Sequence, residues 1–210
     1  MDSVVAKRLT VEEYLDKLAA RLPAPGGGSA SALVGAAGAA LAAMVANFTV
    51  GNPKYTAVEA DVQRVLEEVE AHRSTLMDLI QADMDAYSEV SAAYKLPKED
   101  PSRTEAIQKA LRLAADPPRR IIEHCLAVLR LLPELLEKGN QNLVSDGGVA
   151  ASLAHAALKC AWLNVEINLA HMDDSEYVAD ERERLRRSLE EAERLAAAVW
   201  TETVRRVVGE

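Results

Sequence analysis

The sequence is poor in aromatic residues and in cysteine. Phe, Trp and Tyr make up only 4% of its 210 residues, and there are two cysteines, Cys125 and Cys160. Neither cysteine has the spacing of a metal site, and two cysteines in a chain of this length do not suggest a disulfide framework. Hydrophobic residues still make up 49% of the chain, so the core has to be built from Ala, Leu and Val.

An excess of positive charge is also missing, since the formal net charge is -9. Nucleic acids and anionic membranes are bound through clustered Lys and Arg, so the charge argues against both as partners. No His, Cys, Asp or Glu set has the spacing of a zinc or iron site, and His155 and His171 are interpreted as structural, so we expect no metal and no cofactor. Residues 1–10 contain no apolar signal core, which makes the cytoplasm the expected location.

Strands are not expected, because no stretch alternates apolar and polar residues with a period of two. The helical periodicity predicts an all-α bundle of six or seven helices in a single domain over residues 1–210. Two helices, about 29–49 and 149–170, are rich in Ala and Gly and nearly uncharged, so we expect them at the centre. The stretch 29–50 is long enough to span a bilayer, but its small side chains gain little in hydrocarbon, which favours a buried helix.

Caps and helix breakers predict the helix boundaries. Residues 10–13, Thr-Val-Glu-Glu, form a capping box ahead of a first helix that should run to about Leu22. A long helix is expected over about 54–94. Ser102 is the expected cap of the next helix, and Asp116-Pro117-Pro118 is interpreted as a restart, because Asp favours the cap and Pro the first turn.

The stretch Pro23-Ala24-Pro25-Gly26-Gly27-Gly28-Ser29 precedes the first Ala-rich helix. Its prolines stiffen the chain, and its glycines remove side chains from the backbone surface. Ser29 is a candidate N-cap of a helix whose free N–H groups suit a carboxylate, a phosphate or a polarised carbonyl. The alternative is a plain connection between two helices, and the stretch matches neither the P-loop nor the dinucleotide pattern.

One carboxylate occupies an unusual position. Asp83 falls on the same apolar stripe as Leu76, Leu79 and Ile80 of the long helix. Burial of an ionised carboxylate without a partner is costly. In a cleft its pKa would rise, which suits a general acid or a shared proton. The alternative is a buried Asp that bonds to a neighbouring helix end.

Other polar candidates are distributed along the chain. Ser145 and Asp146 open the second Ala-rich helix, where Asp commonly caps. Asn164 and Asn168 lie one turn apart on that otherwise apolar helix, so they either brace helices or line a polar site. Lys98 either keeps the surface soluble or holds a substrate carboxylate.

An ordered set of short motifs resembles the formiminotetrahydrofolate cyclodeaminase and methenyltetrahydrofolate cyclohydrolase family. The resemblance covers about residues 10 to 172. The motifs are, in order, Pro25-Gly26-Gly27-Gly28-Ser29-Ala30, Asp83-Met84-Asp85-Ala86-Tyr87, Leu96-Pro97-Lys98, Gly139-Asn140 with Ser145-Asp146, and Asn164-Val165-Glu166-Ile167-Asn168-Leu169.

This resemblance implies an all-helical domain that forms homodimers and binds a tetrahydrofolate in a cleft. It implies one of two reactions, and both involve a cationic amidine-like centre that a carboxylate stabilises. A cyclodeaminase closes 5-formiminotetrahydrofolate to the 5,10-methenyl form and releases ammonia, whereas a cyclohydrolase opens the methenyl ring with water to give 10-formyltetrahydrofolate. The alternative is a non-catalytic folate-binding or structural helical dimer.

The resemblance also implies roles for single residues. Asp83 is the expected proton-relaying carboxylate, and Asp146 is expected to contact the pterin or the reacting centre. The loop from Pro25 to Ser29 should supply backbone donors, and Lys98 should meet the glutamate tail, whose length is left open. The further residues expected to bind substrate are Asn140, Ser145, Asn164 and Asn168.

Overall fold

Six α-helices and three short 3-10 helices make up the regular structure of residues 6–209, which are the residues that the computed structural model describes. No strand occurs in this range, so the all-α prediction is confirmed, with the lower of the two expected helix numbers. Residues 1–5 of the segment without a signal core lie outside the described residues. The helices are α1 Val11–Ala19, α2 Gly27–Asn47, α3 Glu59–Tyr94, α4 Arg103–Lys138, α5 Val144–Leu169 and α6 Ser175–Val208, and the 3-10 helices are Ala6–Arg8, Pro53–Val58 and Gln141–Leu143.

The two Ala-rich helices, α2 and α5, pack against each other, and both also contact α4. Their backbones approach closely because the side chains between them are small. A Cβ added at Gly38 would lie 3.0 Å from the carbonyl oxygen of Ala150 and 3.1 Å from the nitrogen of Ala154. α3 packs on α2 and α4, and α6 covers α4 and α5.

α2 is long and apolar enough to cross a membrane by length and composition alone, with a mean hydropathy of 1.8. In the bundle, 61% of its most apolar window is buried against other helices. This burial supports its interpretation as a core helix.

The start of α2 differs from the prediction. Gly26 occupies the N-cap position, and Ser29 lies within the first turn. The Ser29 hydroxyl accepts a hydrogen bond from the Gly26 N–H at 3.2 Å and donates to the Gly26 carbonyl at 3.0 Å. The prediction that Ser29 caps the helix is therefore wrong, and the first helical N–H groups belong to glycines.

Several other boundaries also shift. α1 ends at Ala19, short of the predicted Leu22, and the 3-10 helix Pro53–Val58 takes the first residues of the predicted long helix. Ser102 stands at the N-cap position of α4, but its hydroxyl donates to Asp100 and makes no cap bond. α5 begins at Val144, five residues before the predicted start, and includes two glycines on which side chains of α4 and α6 pack.

The two helices predicted on either side of Asp116 are one continuous helix, α4. Pro118 has no N–H to donate to the carbonyl of Ala114, which normally weakens a helix. Asn168 of α5 donates to that carbonyl at 3.4 Å and replaces the missing bond. Because Pro117 and Pro118 are also buried, tertiary packing overrides the local helix-breaking signal.

The packing of α2 on α5 makes a testable prediction. Gly38→Val should lower the free energy of unfolding by about 2 kcal/mol or more, because the new side chain has to displace the backbone of α5. Ala92→Val on the exposed surface of α3 should cost no more than about 0.7 kcal/mol. Chemical denaturation followed by circular dichroism measures both, and equal losses would contradict close packing at Gly38.

Candidate functional site

A cleft of about 390 Å³ opens where the N-terminus of α2 meets α3, α4 and the C-terminal end of α5. Most of its wall is apolar or free of side chains, and a few polar groups point into it, as is typical of ligand sites. The cleft is lined by Pro23, Ala24, Gly26, Gly27, Gly28, Asp83, Met84, Tyr87, Val90, Tyr94, Leu111, Ala114, Asn164, Ile167, Asn168 and His171.

Asp83 carries the carboxylate of the cleft. Burial raises its pKa from 3.8 to about 6, and a hydrogen bond from the Ser29 N–H opposes this shift in part. No ion pair within residues 6–209 involves it. The carboxylate is therefore ionised at neutral pH and holds a proton readily under mildly acidic conditions, as a proton relay requires.

The missing side chain at Gly28 makes room for this carboxylate. A Cβ at Gly28 would overlap both oxygens of Asp83. Asp83 therefore lies directly on the first turn of α2, where N–H groups and the positive end of the helix dipole face it.

A buried tyrosine of α1, Tyr14, contacts the same first turn of α2. The hydroxyl of Tyr14 in α1 lies 3.0 Å from the Ser29 hydroxyl, which in turn bonds to Gly26. Burial raises the pKa of Tyr14, and the charge of nearby Asp83 raises it further. Tyr14 thus links α1 to the residues that hold Asp83.

Asn164 and Asn168 present amide groups on the wall of the cleft that α5 forms. Asn164 Nδ2 donates to the Cys160 carbonyl at 2.8 Å, and Asn168 Nδ2 donates to the Asn164 carbonyl at 2.8 Å. Both side-chain oxygens lack a protein donor within residues 6–209, so they are available to a ligand. Asn168 thus fills both predicted roles, since it braces α4 and lines the cleft.

The far end of the cleft is aromatic and apolar. Tyr87, Val90 and Tyr94 follow Asp83 along one face of α3, and His171, just after α5, also lines the cleft. No sequence motif assigns a role to Tyr94 or Ile167, and His171 is predicted from the sequence to be structural. The spacing of 83, 87, 90 and 94 is a helical face that was already readable from the sequence.

The electrostatics of the cleft are simple. Among the described residues, those that line it include one carboxylate and no lysine or arginine. No three His, Cys, Asp or Glu side chains within residues 6–209 are placed to hold a metal ion. A cationic centre next to Asp83 is therefore the charge that this cleft stabilises best.

The structure brings part of the predicted set together. Asp83, Asn164, Asn168 and glycines 26–28 line one cleft. Pro25, which follows a cis peptide bond, and Ser29 are both buried next to it.

Four predicted residues lie outside the cleft. Lys98 is exposed in the loop after α3, and Asn140, Ser145 and Asp146 lie at the opposite end of α5. At 1.5 Å per residue, about 27 Å of helix separates Asp146 from Asn164. No hydrogen bond or ion pair within residues 6–209 involves the Asp146 carboxylate, so the capping alternative for this residue is not realised.

Asn140 has a structural role next to the start of α5, at the end of this helix away from the cleft. Its backbone N–H donates to Thr49 Oγ1 at 2.9 Å, and its Nδ2 donates to the Phe48 carbonyl at 3.2 Å. Its side-chain oxygen accepts from the Asn142 N–H. These bonds tie the end of α2 to the start of α5.

Known proteins match this chain along most of its length. The family model for formiminotransferase-cyclodeaminase matches residues 10–187. The chain belongs to this family. The methenyltetrahydrofolate cyclohydrolase of Methylorubrum extorquens is 43% identical over 200 residues, which cover 93% of this chain and 96% of that protein.

Two further members show how the chain fits within the formiminotransferase-cyclodeaminase family. The formimidoyltransferase-cyclodeaminase of Rattus norvegicus is 35% identical over 194 residues, and the match covers 90% of this chain but 36% of the rat protein. The crystal structure of formiminotetrahydrofolate cyclodeaminase from Thermotoga maritima superposes with a TM-score of 0.82 at 36% identity, covering 97% of this chain and 98% of that one. The resemblance inferred from the motifs is thereby confirmed.

The space at Gly28 predicts a specific defect in this family member. Gly28→Ala should displace the Asp83 carboxylate from the start of α2 and lower the melting temperature, because the methyl group overlaps both oxygens. Gly26→Ala is the matched stability control, since an added Cβ there meets nothing within 4 Å. Differential scanning calorimetry compares the two, and an unchanged melting temperature for Gly28→Ala would disprove the contact.

The raised pKa of Asp83 predicts a pH-dependent cost in stability. The folded protein binds this proton more tightly than the unfolded chain, so stability falls as pH rises from about 4 to about 6. Asp83→Asn should therefore be more stable than the wild type at pH 7 by about 1–3 kcal/mol, because the neutral amide avoids burial of a charge. The gain should vanish below about pH 4, which urea titrations across pH will test.

Proposed function

We propose that this protein hydrolyses 5,10-methenyltetrahydrofolate to 10-formyltetrahydrofolate. The observation that carries the proposal is one half-buried carboxylate, Asp83, in a cleft whose other lining side chains bear no fixed charge. The methenyl bridge is an amidinium cation, which such a carboxylate stabilises. The similarity to a cyclohydrolase over 96% of that protein's length supports the choice of reaction.

Asp83 acts as a proton relay in this proposal. Water adds its oxygen to the bridge carbon, and Asp83 takes a proton from that water. The bond between the bridge carbon and N5 then breaks, N5 receives the proton from Asp83, and the second water proton is released to solvent. A pKa of about 6 suits both transfers, because the group is neither strongly acidic nor strongly basic at neutral pH.

The rest of the cleft positions the folate. The pterin carries N–H donors, which match the free side-chain oxygens of Asn164 and Asn168. The aromatic end with Tyr87 and Tyr94 accommodates the flat aminobenzoyl group. Among the described residues that line the cleft there is no lysine or arginine, and Lys98 lies outside it. The contact of Lys98 with the glutamate tail therefore stays a prediction from the sequence.

Cyclodeamination of 5-formiminotetrahydrofolate is the second candidate, favoured by the similarity to the Thermotoga maritima structure. In that reaction N10 attacks the formimino carbon, and the leaving nitrogen takes up protons and departs as ammonia. The proton that N10 loses reaches the leaving nitrogen through Asp83, so the same relay serves this reaction. The 43% identity to the cyclohydrolase, against 36% to the cyclodeaminase structure, supports placing hydrolysis first.

A homodimer is the proposed working form. The support is a pair of apolar side chains one turn apart on α5, Leu163 and Ile167, each more than half exposed. Surfaces of this kind commonly mark protein–protein contacts. The cytoplasmic location stays a prediction from the sequence.

A paired ultraviolet assay tests the function. Purified protein should speed the decay of the methenyl absorption band beyond its spontaneous hydrolysis, and kcat/KM should fall as pH drops below about 6, because Asp83 becomes protonated. Appearance of the band from 5-formiminotetrahydrofolate with ammonia release would establish cyclodeamination instead. No turnover, together with a raised melting temperature in tetrahydrofolate, would leave only a binding protein.

Asp83→Asn tests the assigned carboxylate. Turnover should fall by about 100-fold or more, because the amide cannot relay a proton. Stabilisation by tetrahydrofolate should persist, since the shape of the cleft is kept. Asp85→Asn is the matched control, because Asp85 is exposed on the same helix and its carboxylate accepts from Gln81. A fully active Asp83→Asn variant would remove Asp83 from the mechanism.

A further inference from the structure

The two ends of the cleft offer a ligand different groups. The end at the first turn of α2 holds the Asp83 carboxylate. The far end includes Tyr94 of α3 and His171 after α5, and no carboxylate is among its lining residues within 6–209. Met172 packs against the same apolar cluster as Val90, which places the end of α5 beside the last turns of α3. An anionic group of a ligand is therefore repelled by Asp83 at one end and meets no carboxylate at the other.

The His171 ring is free to bind a ligand. Both hydrogen bonds that His171 makes within residues 6–209 involve its backbone. Its N–H donates to the Asn168 carbonyl at 3.1 Å, and its carbonyl accepts from Gln108 Nε2 at 3.1 Å. These bonds hold the residue at the end of α5 and leave the imidazole without a partner. An imidazole donates one N–H when neutral and two when charged, so His171 is a donor for an anion in either state.

An arginine adds positive charge behind the same end of the cleft. The Arg103 guanidinium lies 5.9 Å from the centre of the Tyr94 ring. Its Nε donates to the Leu96 carbonyl at 3.1 Å, and its Nη2 donates to the Tyr94 carbonyl at 3.5 Å. Asp100 in the same loop accepts from the Ser102 hydroxyl, and no carboxylate within residues 6–209 forms an ion pair with Arg103. Two carbonyls thus hold a cation that has no paired acid.

The distance between the two ends matches the length of a folate. Asp83 and Tyr94 are eleven residues apart, which is about 16 Å along α3. In an extended aminobenzoylglutamate, ordinary bond lengths place the two carboxylates about 10 to 13 Å from N10. With the methenyl bridge beside Asp83 and the aminobenzoyl ring along Tyr87, these carboxylates reach the level of Tyr94 and His171.

We infer that the far end of the cleft is a carboxylate subsite, in which His171 donates to a carboxylate of the substrate's first glutamate and Arg103 attracts that carboxylate from behind Tyr94. The inference rests on the proposed function, since it takes the ligand to be a tetrahydrofolate. The two residues determine specificity and do not touch the reacting atoms. Because the contact is equally strong in the ground state and the transition state, it lowers KM and leaves kcat unchanged.

Substrates with and without the glutamate test the subsite. The methenyl derivative of tetrahydrofolate is compared in the ultraviolet assay with that of tetrahydropteroate methylamide, which ends in an uncharged amide. Wild-type KM should be lower by about 10-fold or more for the tetrahydrofolate derivative, since one charge-assisted hydrogen bond contributes about that factor. Raised salt should increase KM only for this substrate, because salt screens the attraction. Equal KM values for the two substrates would overturn the inference.

Variants assign the subsite to its residues. His171→Leu should raise KM for the tetrahydrofolate derivative by about 10-fold, because it removes the donor, and should leave KM for the methylamide unchanged. Arg103→Gln should act in the same direction by a smaller factor, and Arg103→Lys, which keeps the charge, should retain the preference. Arg194→Gln, exposed on α6, is the charge-matched control and should change neither KM. An equal rise in both KM values, or no rise in either, would remove the residue concerned from the subsite.

Calorimetry separates this inference from the proposed function. Isothermal titration measures the binding of tetrahydrofolate and of tetrahydropteroate methylamide whether or not the protein turns either derivative over. Tighter binding of tetrahydrofolate that His171→Leu abolishes would support the subsite even without turnover, and equal affinities would overturn it. Turnover of both derivatives with equal KM would overturn the subsite while the function stands, and no binding of either compound would end both proposals.

Discussion

The close approach of the Asp83 carboxylate to the first turn of α2 is the contact on which the cleft depends. It exists because residue 28 has no side chain, so the carboxylate occupies the volume that a Cβ would fill. The same absence of side chains at Gly35 and Gly38 lets the rest of α2 lie between α3, α4 and α5. Small residues therefore set both the position of the central helix and the place of the carboxylate.

The energetic cost of that carboxylate explains several neighbouring features. Burial raises the pKa of the Asp83 carboxyl group to about 6, so its negative charge destabilises the fold at neutral pH. Such costs in stability are typical of functional sites. The Ser29 N–H offsets part of it, and Tyr14 holds Ser29 in place through a buried hydroxyl contact. The first helix, which lines no part of the cleft, thereby contributes to the geometry of Asp83.

Most of the fold was predictable, because helical periodicity is a local property of the sequence. The number of helices, the capping box at Thr10 and the central place of both Ala-rich helices follow from such local patterns. The continuity of α4 through Pro117 and Pro118 does not, because it involves burial of both prolines and a hydrogen bond from Asn168, which is 54 residues away from its acceptor in sequence. Local rules predicted a break that long-range packing removes.

The sequence by itself determined that Asp83 is a carboxylate on an apolar stripe. Its ordered motifs also grouped Asp83 with a glycine-rich helix start and with Asn164 and Asn168. Only the tertiary structure decided which of the predicted polar groups share a cleft. Asp83 and Asn164 share a cleft because the start of α2 and the end of α5 converge beside α3, whereas about 27 Å of rigid helix keeps Asp146 away within one chain. Residue types and local spacing are written in the sequence, but the distance between remote residues is set by how the helices pack.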